Sequence, residues 1–136
     1  VDDRGNDIEE IMCGEPLLLD IECEARSDVP ALNVGVEISK VDGVKVYDVN
    51  SRMDGYLPFV SAGRFKMRFQ VPRCDLVDGS YFVTVGLMDA DERVHYHLLR
   101  QAVCFHVSDA MPYRGIARLG HEWHLECDRG SAVAEG

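Results

Sequence analysis

The chain has 136 residues, 46 % hydrophobic and 28 % charged: a soluble globular composition, with length for one domain and an ordinary core. No apolar run nears the roughly 20 residues that span a bilayer, and VDDRGNDIEE lacks both a Met and the basic end and apolar middle of a secretory signal, so the chain reads as an excised domain. A formal net charge of −10 without any basic run excludes nucleic acid, whose phosphates are held by clustered Lys and Arg.

The short IEEIM at 8–12 offers the one helical pattern. From EPLLLDIECEAR onward the period is two. Leu17, Leu19, Ile21, Cys23 and Ala25 fall on one face, and Leu18, Asp20, Glu22 and Glu24 on the other, as a half-buried strand requires. PALNVGVEISK repeats this, with Val34, Val36 and Ile38 inward and Asn33, Gly35, Glu37 and Ser39 outward. Asp42-Gly43 is a hairpin signal leading into VKVYDVNS. Residues 54–62 mix Gly, Pro and aromatics and read as a loop.

GRFKMRFQV then places Phe65, Met67, Phe69 and Val71 inward, and Arg64, Lys66, Arg68 and Gln70 outward. A Pro-containing connection, the strand SYFVTVGLM, the turn DADER and a long strand over 94–107 follow. Residues 111–125 read as one more extended segment, and the chain beyond Glu126 as frayed. About seven or eight short strands punctuated by turns argue for an all-β fold, an antiparallel β-sandwich of immunoglobulin-like or jelly-roll type. Opposite charges facing across two strands are mildly stabilising. The acidic face of 16–25 and the basic face of 64–70 therefore predict that these two strands are neighbours, leaving 31–39, 44–50, 80–89 and 94–107 for the second sheet.

The chemical motifs are sparse. Five cysteines (Cys13, Cys23, Cys74, Cys104 and Cys127) form no CxxC pair, which reads as reduced thiols in a cytosolic protein. His95 and His97 have the spacing of two metal ligands on one strand face, but a metal needs three or four, and Gln101 and Ala102 stand where a cupin-type site wants Glu. Inward Val103, Phe105 and Val107 put both histidines inward too, unless a bulge intervenes. In HEWH, His121 and His124 would face opposite sides of a strand. There is no nucleophile elbow, no thiol flanked by pKa-lowering features and no phosphate-binding P-loop, so no enzyme is expected here. Tyr81, after Asp78-Gly79, resembles the tyrosine that pins a sandwich corner to nearby backbone.

The order of motifs resembles a known family. Pro30, Val34–Ile38, Asp42-Gly43, Asn50, Phe65–Pro72, Leu76–Leu87, Phe105–Val107, Gly115 and Trp123 carry the likeness, which covers about residues 15–125. They are similar in order and spacing to the C-terminal domain of Wzt, the ATP-binding subunit of ABC transporters that export O-antigen polysaccharides. The resemblance implies a cytoplasmic carbohydrate-binding module at the inner face of the inner membrane. It implies a homodimer, in some members with an exchanged C-terminal strand, and a membrane subunit engaged through the full-length protein. It implies no cofactor for this piece, ATP belonging to a missing nucleotide-binding domain, and no direct membrane insertion. On this reading residues 1–14 are a linker from that domain, 15–126 the sandwich and 127–136 a frayed tail. The alternative is a structural dimerisation domain of the same subunit that binds no glycan.

Sugars are held by aromatic faces and planar polar groups on a surface with room for a ring. The outward positions Asn33, Gly35, Glu37 and Ser39, with Phe82, Thr84, Gly86 and Met88, offer this, and the two glycines predict a shallow trough. Tyr47, Asp48 and Asn50, with His95 and His97, are expected at its rim. Phe82 and Met88 read equally as an apolar patch under a loop or against a dimer mate, the glycines then serving sheet curvature.

Overall fold

The computed structural model describes residues 10–126; the expected tail at 127–136, with Cys127, and residues 1–9 lie outside them. Seven strands run in chain order: β1 (Glu10–Met12), β2 (Leu17–Ala25), β3 (Asn33–Lys40), β4 (Lys45–Asn50), β5 (Gly63–Val71), β6 (Gly79–Met88) and β7 (His95–Ser108). They form a five-stranded sheet, ordered β1-β7-β6-β3-β4, and a two-stranded sheet of β2 and β5. There is no helix among the described residues, and so none long and apolar enough to cross a membrane. The expected helical turn at 8–12 is corrected where it is described: Glu10–Met12 is a strand, pairing in parallel with His106–Ser108. Three residues are too few for a helical turn to sustain itself, and an open sheet edge satisfies their backbone instead.

The acidic and basic faces pair as expected. β2 and β5 pair antiparallel with Asp20 opposite Arg68, Glu22 opposite Lys66 and Glu24 opposite Arg64. Arg68 grips Asp20 through two hydrogen bonds, Nε to Oδ1 at 2.7 Å and Nη2 to Oδ2 at 3.0 Å. That grip holds the Asp20 carboxyl below its ordinary pKa.

The core lies between the sheets, where Leu17, Leu19 and Ile21 meet Val34, Val36, Ile38, Val83, Val85 and Phe105. Each such side chain contributes roughly 1.5–3 kcal/mol by leaving water. Tyr81 is fully buried, stacks on Phe105 at 5.5 Å between ring centroids, and donates its hydroxyl to the Val77 carbonyl at 2.7 Å. This is the expected corner tyrosine. Burial pushes its phenol up to about 12. Phe65, Met67 and Phe69 of β5 point the same way and are half-buried, packing against this core.

Candidate functional site

The outer face of the five-stranded sheet is assembled by register. β3 runs antiparallel between β4 and β6, setting Gly35 beside Asn50 and Gly86, Glu37 beside Asp48 and Thr84, and Ser39 beside Lys45 and Phe82. Cross-strand partners share a face. Asn33, Gly35, Glu37, Ser39, Asn50, Phe82, Thr84, Gly86 and Met88 thus lie on one surface, and His95 joins them opposite Met88.

Tyr47 and His97 do not. Tyr47 stands opposite the core residue Ile38, and His97 opposite Leu87, so both belong to the inner side of the sheet. Irregularities in register cause this. β4 carries an extra residue, Val46, between the partners of Ile38 and Ser39, while the β7 partners of Leu87 and Met88 are His97 and His95, with Tyr96 extra. One added residue reverses the alternation of sides, so the two histidines face apart and cannot share an ion. No group of three or more His, Cys, Asp or Glu is placed to hold a metal among the described residues.

The glycine trough is filled rather than open. A Cβ built on Gly35 would lie 3.2 Å from the Met88 methyl, and one on Gly86 would lie 3.7 Å from Leu98 Cδ1. Met88 folds back over one glycine, and Leu98, opposite Gly86 on β7, covers the other. Asn33 and Asn50 are buried as well. Toward the Asp42-Gly43 turn the face stays accessible, with Glu37, Ser39, Phe82 and Thr84 half-exposed and Lys45 and Asp48 exposed, while His95 is exposed at the other end. Glu37 and Asp48 are like charges directly across two strands, a destabilising pairing. Lys45 moderates it with an ion pair to Asp48 at 3.0 Å, and that contact raises the lysine's pKa. Thr84 Oγ1 accepts from the Gln101 amide at 3.0 Å, where β7 bulges with Gln101 at φ 48°. The combination of carboxylates, an ammonium, hydroxyls and one phenyl ring on a sheet suits hydroxyl-rich ligands.

Sequence patterning passed over the connection after β4. Asn33 Oδ1 accepts from the Arg52 amide at 3.1 Å, Ser51 Oγ from Val34 N at 3.0 Å, and Asn50 Oδ1 from Met53 N at 3.0 Å. Asn50 Nδ2 donates to Glu92 Oε1 at 3.0 Å, tying the turn to the β6–β7 hairpin. The signal available was Asn50-Ser51 at the end of a strand, a pair of residue types that bond to local backbone.

Among the described residues a groove flanks each side of the small sheet. On the β2 side a groove of about 640 Å³ is lined by Ile21, Cys23, Phe65, Leu87, His97 and Leu99, among others. The segment after β7 forms no strand among the described residues, meeting the body through a bridge between Ala117 and Leu76, and Leu119, Trp123 and Leu125 are 71 %, 89 % and 83 % exposed. Burial is the main cause that raises the pKa of Cys13, Cys23 and Cys74, which disfavours the thiolate at these three positions.

A family model, the Wzt C-terminal domain, matches residues 1–119. A solved structure titled as the crystal structure of the C-terminal domain of wzt superposes with a TM-score of 0.71 at 19 % identity, covering 86 % of this chain and 74 % of that one. At that identity the likeness carries the fold. No curated protein matches the chain. With the family model spanning most of its length, the chain belongs to the Wzt C-terminal domain family, a component of ABC transporters.

Proposed function

We propose that this domain is a carbohydrate-binding module that recognises an O-antigen-type polysaccharide for export by its ABC transporter, working on the cytoplasmic side of the inner membrane. The observation that carries this reading is the accessible half of the outer sheet face. There Glu37, Ser39, Thr84 and Asp48 supply acceptors and donors at fixed strand spacing beside the Phe82 ring. A carboxylate pair kept opposite one another at a cost to the sheet is explained by a ligand that hydrogen-bonds to both. The family supports the transporter setting, and catalysis is left to other parts of the transporter. Retention of polysaccharide on the immobilised domain is the test: Glu37→Ala and Phe82→Ala should each lose it while the fold persists, and normal retention by both would remove this site.

The second reading is a homodimer that exchanges its C-terminal segment, with or without glycan binding. It is favoured by the exposure of Leu119, Trp123 and Leu125 in one molecule that also has an apolar groove. An exposed apolar tail and an apolar groove of this kind would cover each other between two copies. The oligomeric state of the chain truncated after Arg118 distinguishes this reading from a monomer.

A further inference from the structure

The turn after β4 is built more firmly than a connection requires. Asn33 and Asn50 are the two buried polar residues among the described residues, and both hold this turn to the sheet. Burying an amide is unfavourable unless its hydrogen bonds are made, yet Asn33 Nδ2 is left without a partner. A turn that only had to reverse the chain could do so with surface residues, as Asp42-Gly43 does. This one is preorganised, which is a property of turns that present binding groups.

What it presents is Asp54 and Tyr56, on the rim of a groove of about 320 Å³ between β4 and the free edge of β5. Val49, Met67 and Phe69 line its apolar floor. The other polar rim groups are engaged within the chain: Asn50 with Glu92, Ser51 with Val34, and Arg68 with Asp20. The Asp54 carboxylate and the Tyr56 hydroxyl have no side-chain partner among the described residues, and Tyr56 is 53 % exposed.

We infer that this groove is a subsite for one neutral pyranose ring, Tyr56 stacking on a C–H face of the sugar and Asp54 accepting hydrogen bonds from its hydroxyls. The inference rests on the carbohydrate reading above and adds a place outside the sheet face named there. A pyranose has apolar C–H faces and an edge of hydroxyl donors. The floor meets the first, and the Asp54 carboxylate, as an acceptor, meets the second. The volume lies near the lower end of ligand pockets, about 300–1,000 Å³, which suits a single ring. A free carboxylate on a chain of net charge −10 disfavours an anionic sugar.

The test is a titration of the ¹⁵N-labelled chain, followed by amide shifts, with the methyl glycosides of glucose, galactose, mannose and rhamnose and with methyl glucuronide. A neutral glycoside should shift the amides of 51–56, Val49 and Met67, and the glucuronide should not. Asp54→Asn and Tyr56→Ala, both at exposed positions, should each weaken that response by about tenfold or more. Shifts confined to residues around Glu37 and Phe82, or a response unchanged in both variants, would overturn this subsite and leave the carbohydrate reading standing. No shift with any glycoside, together with no retention of polysaccharide, would overturn both.

Discussion

Met88 and Gly35 share one space. The Met88 methyl occupies the position a side chain at 35 would need, 3.2 Å from where its Cβ would stand. The neighbour is the end of a flexible side chain, so Gly35→Ala should change stability by less than about 1 kcal/mol, the lost strand entropy of glycine offsetting a small displacement. Met88→Ala should cost about 2 kcal/mol, because a largely buried side chain is removed and a void remains. The double variant should cost less than the two together, by about 0.5 kcal/mol or more, as the new methyl enters the vacated space. Urea unfolding of the four proteins measures this, and strict additivity would deny the contact.

Tyr81→Phe should cost about 1–3 kcal/mol, since it leaves the Val77 carbonyl buried without its donor. Its pH signature is on the alkaline side. The folded phenol is raised from 10.0 to about 12, so its contribution is complete below the unfolded value and is lost as pH rises through the folded one. Thermal unfolding should fall between pH 10 and 12 in the parent by more than in Tyr81→Phe.

Asp20 gives the opposite sign. Arg68 holds its carboxyl below the ordinary value, so the stability it contributes is present above that value and disappears as pH falls through the folded pKa. Asp20→Asn should therefore flatten the acid limb of the stability curve while leaving the alkaline limb as it was. The pair is solvated on the arginine side, and added salt should narrow the difference between the two proteins.

Truncation after Arg118 should convert a dimer to a monomer in light scattering, and Trp123→Ala should weaken the dimer without unfolding the domain. Each removes apolar surface that lies open in the single copy. A full-length chain that is monomeric at every concentration would end the exchange reading.

The architecture is legible in the sequence wherever one residue type repeats at fixed spacing. Asp20, Glu22 and Glu24 against Arg64, Lys66 and Arg68 identify the small sheet and its partners, because charge complementarity acts at the spacing of the strand pleat. Tyr81 after Asp78-Gly79 marks the corner for the same local reason. The site was less legible. Tyr96 adds one residue opposite the β6 end and turns His97 away from His95, and no composition marks a bulge of that kind. Gly35 and Gly86 describe an absence of side chains, which does not say whether Met88 and Leu98 will fold over them. The turn at 50–56 depends on Asn33, 18 and 19 positions before the residues it bonds, and contacts so distant have no period to read.

The central claim is that the sheet face carrying Glu37 and Phe82 recognises a polysaccharide. The most direct measurement is retention by the immobilised domain of polysaccharide from the strain that encodes it, against polysaccharides of unmatched strains. The matched polymer should be retained and the others little, with retention lost in Glu37→Ala and Phe82→Ala while the fold stays intact. Equal retention of all polymers, or of the matched polymer by both variants, would contradict it.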